Sequence, residues 1–302
     1  MLTHLANLRV RGRLERHVPL APMTSWRVGG PADWLFEPED ADDLAHLLAS
    51  IPESVPRMVL GLGSNVLIRD GGVEGLVIHL TGTINQRLRL DSERVELGAG
   101  LACPQAARFC ANEGLTGAEF LAGIPGTLGG ALAMNAGAWG GEIWPLVEWA
   151  ESIDGRGLRH VRTPAEYRIG YRSVRGCEGE FFLRVVLRLQ PGDPSTAKAR
   201  IQELLRERAE KQPLGLPSCG SVFRNPEGGH AAALIEQAGL KGLHRGGAEV
   251  SLKHANFITH DGSATAADIE WLMQEVQARV EARFNIRLVP EVRVIGRREG
   301  HP

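Results

Sequence analysis

The stretch Gly123-Ile-Pro-Gly-Thr-Leu-Gly-Gly-Ala-Leu-Ala-Met-Asn-Ala-Gly137 decides how the rest of the chain is read. Gly123, Gly126, Gly129, Gly130 and Gly137, closely followed by Gly140 and Gly141, prevent one helix or strand from running through it, because a glycine costs about 1 kcal/mol in a helix interior. The economical reading is backbone brought close to a bulky ligand, with N–H groups aimed at a phosphate or a ring carbonyl. A second glycine turn, Gly61-Leu62-Gly63-Ser64-Asn65, follows the apolar run Met58–Leu60 and adds the side-chain donors of Ser64 and Asn65. A nicotinamide site of the βαβ type needs a third glycine before a helix and an acid about 20 residues later. Here Val66 leads into another strand. Each loop has a plain structural alternative, a glycine hairpin or a connecting loop. Together they point to a large phosphate-bearing cofactor lying across the first two-thirds of the chain.

Composition narrows the partners. The 302 residues carry 34 basic and 36 acidic side chains, a net charge of −2, with only 6 Trp, 8 Phe and 2 Tyr. That balance argues against nucleic acid or an anionic membrane surface. A hydrophobic content of 43% with 23% charged residues excludes disorder as the default state. The weakly polar run Leu121–Met134 is broken by Pro125 and glycines and does not read as a membrane span. The leader Met1–His17 is basic and lacks the apolar core of a signal peptide. Cys103, Cys110, Cys177 and Cys219 form no CxxC pair, and the histidines no HExxH or HxH. Neither a disulfide scaffold nor a metal site is expected, and a cytoplasmic location is.

Outward from the glycine stretch, the first two-thirds reads as α+β with short strands. Asp40–Ser50 is predicted as a helix, with Leu44, Leu47 and Leu48 on one face. Met58–Leu60, Val66–Ile68 and Leu76–Leu80 read as strands, and Ile84–Leu90 with Arg94–Leu97 as a hairpin. A helix at Pro104–Asn112 and strands at Val147–Ile153 and Phe181–Leu189 follow. Pro191–Pro194 reads as a linker, so the chain is divided near residue 192. Beyond it come a polar helix, Ser195–Lys211, and a strong one, Thr265–Phe284. In the latter, Ile269, Leu272, Met273, Val276, Val280 and Phe284 form a core stripe. Arg287–Ile295 is expected as the last strand.

Three further segments hold chemically useful groups: Tyr171-Arg172-Ser173, Gly220-Ser-Val-Phe-Arg-Asn-Pro226 and Pro290-Glu291-Val292. Ser221 lies in no G-x-S-x-G elbow, so a hydrolase reading is disfavoured. Cys219 has no activating base in sequence and reads as a small filler. Taken singly, Arg172 and Glu291 read as solvated surface residues.

As a set, these segments resemble the UDP-N-acetylenolpyruvoylglucosamine reductase (UDP-N-acetylmuramate dehydrogenase) family. The resemblance begins at Thr24-Ser-Trp-Arg-Val-Gly-Gly-Pro-Ala-Asp33. It runs through Gly61–Asn65, Gly123–Gly137, Tyr171–Ser173, Lys211-Gln-Pro213, Gly220–Pro226, Lys253-His-Ala-Asn-Phe257 and Pro290-Glu-Val-Arg293. It covers about residues 19 to 296 and is specific jointly rather than motif by motif. Thr127 stands where the family commonly has serine, and Trp139 where tyrosine is expected. Arg172 and Lys211 are too close in sequence for the extra capping loop of some members, which places the chain with the shorter, loop-less type.

The resemblance implies an α+β fold in which a two-lobed FAD-binding unit of the vanillyl-alcohol-oxidase (PCMH) type precedes a smaller α+β substrate-binding domain. The corresponding boundaries are 1–192, with lobes at about 1–80 and 81–192, and 193–302. It implies non-covalent FAD held by Gly61, Leu62, Gly63, Ser64 and Asn65, by Gly123, Ile124, Pro125, Gly126 and Thr127, and by Asn135, Ala136 and Gly137. NADPH is the implied hydride donor. The implied reaction reduces the enolpyruvyl double bond of UDP-N-acetylenolpyruvoylglucosamine to give UDP-N-acetylmuramate for peptidoglycan. Arg172 would fork the substrate carboxylate, Glu291 would hydrogen-bond the enolate-like intermediate, and Ser221 would protonate the α-carbon. Tyr171, Lys211, Asn225, His254 and Asn256 are the implied substrate contacts. The expected partners are a small-molecule nucleotide sugar and NADPH, with neither nucleic acid nor membrane, and a monomer is expected. Two other readings keep parts of this pattern: a flavin oxidase of the same superfamily acting on a sugar lactone or alcohol, and a non-catalytic nucleotide-sugar sensor. The first often tethers its flavin through histidine or cysteine, which Gly61–Asp70 and Gly123–Gly141 lack.

Overall fold

Val95 and Leu97 face Leu187 and Val185 across an antiparallel ladder, and all four side chains are buried. These cross-strand pairs organise a five-stranded sheet in the order 159–162, 147–153, 181–188, 94–98, 87–89. Its opposite face is ionic. Arg184 reaches Glu151 at 2.6 Å and Glu96 at 3.0 Å, and Arg188 reaches Glu148 at 2.7 Å. The chain is seen in a computed structural model that describes residues 5, 8–80, 82, 84–176 and 178–300. Cys177 lies outside the described residues; Cys103, Cys110 and Cys219 are free and buried.

Two compact units arise. One comprises Met1–Glu15, Leu35–Leu62 and Gly75–Arg208; the other comprises Arg16–Trp34, Gly63–Glu74 and Ala209–Pro302. The first contains the five-stranded sheet and a parallel pairing of 57–60 with 76–79. Its helix α1, Ala41–Ser50, starts at Asp40, whose carboxylate accepts from the N–H groups of Asp42 and Asp43. Helix α2, Cys103–Asn112, packs Ala106, Ala107 and Cys110 into the core under the sheet.

Helix α3, Leu128–Met134, lies inside the glycine stretch, where the sequence suggested only loop. Its ends explain why so short a helix holds. Thr127 accepts from Gly130 N–H at its start, and Asn135 closes it in the left-handed conformation, φ 48°. A side chain at Gly129 would press its Cβ to 3.1 Å from that of Ala99, so the small residue permits close packing there. Helix α4, Pro194–Lys211, sends Ala197 and Ile201 into this same core.

The second unit holds helix α5, Ala231–Gln237, which the sequence reading missed, and helix α6, Ala266–Phe284. It also holds a three-stranded antiparallel sheet in the order 244–245, 248–250, 258–260. The stripe Ile269, Leu272, Met273, Val276 and Val280 is buried, as expected for core. The α6 start carries the Thr265–Asp268 capping box, and Asp70 adds a second cap, accepting from Ala266 N–H at 3.0 Å and Ala267 N–H at 2.9 Å. The last strand is shorter than predicted. Only Arg293–Ile295 is strand, paired in parallel with Val66–Ile68; upstream the chain pairs instead with residues 222–224, through an isolated bridge at Pro290 whose missing N–H cannot extend a ladder.

Candidate active site

In the first unit, Gly61 and Thr127 meet. A Cβ on Gly61 would sit 2.5 Å from Thr127 Oγ1, so the two glycine loops approach as closely as the missing side chain allows. The antiparallel bridge between Ala102 and Thr127 fixes the second loop, with Cys103 N–H donating to Gly126 O at 2.9 Å. At the start of α3 the N–H groups of Leu128, Gly129 and Gly130 are taken by Leu101 O, Ala99 O and Thr127 Oγ1. By contrast, no acceptor among the described residues takes the N–H of Gly126 or Thr127. The donors available to a phosphate-bearing group therefore lie in the glycine turn itself, ahead of the helix. Trp139, at φ 49°, lays its indole over Gly123.

Arg172 sits at the second of two loop positions in the hairpin Arg168–Gly170/Ser173–Arg175, with φ 51°. Its guanidinium donates to Asn135 O at 3.2 Å and Gly137 O at 2.6 Å, and stands 5.1 Å from the Tyr171 ring centroid. Asn135 answers from its side chain: Nδ2 donates to Gly170 O at 3.2 Å and to Glu142 Oε2 at 2.8 Å, while Oδ1 accepts from Trp144 N–H at 3.4 Å. Asn135 is 1% exposed. Its amide is thus committed to protein partners and ties the glycine loop to the Arg172 hairpin.

In the second unit, backbone bonds pair the segment that carries Ser221 with the segment that carries Glu291. Gly220 turns the chain at φ 78°. Val222 O then accepts from Glu291 N–H at 2.8 Å, Phe223 bridges Pro290, and Arg224 N–H donates to Val289 O at 2.9 Å. Asn256 clamps the other side: Oδ1 accepts from Phe223 N–H at 3.0 Å, Nδ2 donates to Phe223 O at 2.8 Å, and Asn256 O accepts from Val222 N–H at 2.9 Å. Asn65 Nδ2 donates to Glu291 O at 3.1 Å. Ser221 and Glu291 are half-buried. Burial and the Glu291 carboxylate both push the Cys219 thiol well above its ordinary range, so it stays protonated, a filler as expected.

The expected substrate contacts fare unequally. Lys211 is exposed at the last residue of α4, and Lys253 Nζ donates to Ala209 O in that same terminal turn at 2.7 Å. Burial holds His254 below the usual imidazole range; its Nδ1 accepts from Asn256 N–H at 3.3 Å, and its ring packs on Phe257. Asn225 Oδ1 caps α5 by accepting from Ala231 N–H at 3.1 Å. Asn225 is exposed, whereas Asn256 is buried and its amide is bonded to the Phe223 backbone.

Two family models match in succession: "FAD binding domain" over residues 32–161, and "UDP-N-acetylenolpyruvoylglucosamine reductase, C-terminal domain" over residues 212–295. The chain is 52% identical over 285 residues to the UDP-N-acetylenolpyruvoylglucosamine reductase of Alkalilimnicola ehrlichii, covering 94% of this chain and 95% of that one. The chain belongs to the UDP-N-acetylenolpyruvoylglucosamine reductase family. The Methylococcus capsulatus reductase is likewise 52% identical, over 290 residues covering 95% of this chain and 94% of that one. The crystal structure of the Thermus caldophilus reductase superposes with a TM-score of 0.82 at 36% identity, covering 94% of this chain and all of that one. The fold is that of this reductase family, an α+β FAD-binding part followed by a smaller C-terminal domain. The sequence reading missed Glu142 as a partner of Asn135. The available signal was a lone carboxylate closing the glycine stretch, too weak by itself to single out.

Proposed function

We infer that the chain is an NADPH-dependent flavoenzyme that reduces the enolpyruvyl double bond of UDP-N-acetylenolpyruvoylglucosamine, yielding UDP-N-acetylmuramate for peptidoglycan synthesis. The observation that carries this reading is the Val222 clamp. One buried peptide unit bonded to both Asn256 and Glu291 holds Ser221 and Glu291 in fixed register. FAD, when bound, supplies the carrier that passes a hydride from the nicotinamide to the substrate. The residues proposed to hold it without a covalent link are Gly61–Asn65, Gly123–Thr127 and Ala136–Gly137. The bare N–H groups of Gly126 and Thr127 suit its phosphates.

Arg172 is proposed to bind the substrate carboxylate, which its planar fork suits. Glu291, in its protonated form, is proposed to donate a hydrogen bond to the charge that develops at the α-carbon and carboxylate when hydride arrives at the terminal carbon, and Ser221 to deliver the proton at the α-carbon. A serine hydroxyl is a poor acid, so its effect comes from positioning. That is what the clamp provides. Lys211 is proposed for the diphosphate, with Tyr171 and His254 as further contacts. Asn135 and Asn256, both buried, are assigned to holding these groups, and Asn225 stays a proposed substrate contact. We place the functional division near residue 192, with FAD binding before it and the nucleotide sugar after it, in a monomeric cytoplasmic enzyme. Among the described residues, no helix is long and apolar enough to cross a membrane.

The test is optical. The purified protein is expected to show flavin absorbance, to be bleached by NADPH without oxygen, and to regain colour on adding the enolpyruvyl nucleotide sugar. Recolouring by a sugar lactone or alcohol and not by that substrate would overturn the reading.

A further inference from the structure

We propose that Glu142 is a positioning residue for substrate reduction: through Asn135 it aims the Arg172 guanidinium. The proposal deepens the reading of Arg172 given above and rests on it. Glu142 pairs with Gly137 in the two-stranded ladder formed with 137–138. Its side chain crosses Gly137 so closely that a Cβ there would lie 3.0 Å from Glu142 Cγ. From that position Glu142 Oε2 accepts from Asn135 Nδ2 at 2.8 Å. The second proton of the same amide goes to Gly170 O, immediately before the loop that carries Arg172.

The arrangement is reciprocal. Asn135 holds the Arg172 hairpin through Gly170 O, and Arg172 holds the Asn135 segment through Asn135 O and Gly137 O. Both Asn135 and Arg172 have positive φ, a conformation non-glycine residues adopt at a cost and only where surroundings impose it. Glu142 anchors this lock through its acceptor oxygen. The bonds to the carbonyl pair fix the plane of the guanidinium. Without Glu142, one proton of a buried amide loses its acceptor, and the segment presenting the two carbonyls loses its tie.

The test separates reach from charge. Glu142→Gln keeps an acceptor oxygen at full length; Glu142→Asp keeps the charge but falls one methylene short. On the FAD-loaded protein, calorimetry compares the enolpyruvyl nucleotide sugar with the same nucleotide sugar lacking the enpyruvyl group. We expect Glu142→Asp to bind the carboxylate-bearing substrate roughly tenfold more weakly and the carboxylate-free compound unchanged, with Glu142→Gln matching the parent for both. Anaerobic half-reactions should follow: bleaching by NADPH unaltered in all variants, recolouring by substrate slowed ~10-fold or more in Glu142→Asp. Parental behaviour of Glu142→Asp, loss of both ligands together, or loss in Glu142→Gln with retention in Glu142→Asp would overturn the proposal. Arg172→Ala is measured alongside. If it leaves carboxylate discrimination intact, the reading of Arg172 itself fails. If it abolishes discrimination while Glu142→Asp does not, only the positioning role fails.

Discussion

The indole of Trp139 occupies the space that a side chain at Gly123 would need: a Cβ there would lie 2.1 Å from Trp139 Cζ3. Gly123→Ala therefore displaces either the ring or the loop. Overpacking of this kind costs about 1–3 kcal/mol, and the strain falls on the segment proposed to meet FAD. The expected result is a lower thermal midpoint and weaker FAD retention on gel filtration. Adding Trp139→Ala to Gly123→Ala should restore most of the midpoint.

Asn256 gives a second handle, on the clamp rather than the cofactor. Its amide makes two hydrogen bonds to the backbone of Phe223, and the residue is 3% exposed. Asn256→Leu leaves a buried N–H and a buried C=O without partners, a loss of about 2–4 kcal/mol. Urea unfolding should show a lower midpoint. In the folded fraction, recolouring by substrate should slow more than bleaching by NADPH.

His254 should make stability depend on pH. Burial is the main cause of its depressed pKa, with the Lys241 ammonium adding to it. The unfolded chain then takes up a proton at a higher pH than the folded one. Stability rises with pH between the depressed folded value and the ordinary imidazole range near 6.5, and is lost as pH falls through that window. The urea midpoint should drop on acidification below about pH 6.5, and His254→Gln should flatten that drop.

Lys211 is one of only four lysines beside thirty arginines. A compact ammonium and a planar guanidinium meet a diphosphate differently. Lys211→Arg is expected to raise the Michaelis constant for the nucleotide sugar while leaving that for NADPH unchanged, as steady-state kinetics with each substrate varied in turn would show.

The glycine loops could be read from the sequence because close backbone approach leaves glycine as its only solution, as at Gly61 against Thr127 and Gly123 against Trp139. Helix α6 could be read from its stripe and its local capping box. Helix α3 could not, since what holds it is the approach to Ala99 and two end residues, against unfavourable propensity. The second cap of α6 comes from Asp70, 196 residues away, and the clamp on Phe223 from Asn256, 33 residues away. No local pattern announces either partner. The motif around Asn256 is legible, but the bonds of its amide to the Phe223 backbone are not.

Ser221, held by the Val222 clamp, is proposed to deliver the proton that completes reduction of the enolpyruvyl bond. Anaerobic stopped-flow on Ser221→Ala measures it most directly, reading flavin absorbance in two separate mixes. The expected result is bleaching by NADPH at the parental rate and recolouring by the enolpyruvyl nucleotide sugar slowed ~10²-fold or more. Equal slowing of both half-reactions, or recolouring at the parental rate, would contradict it.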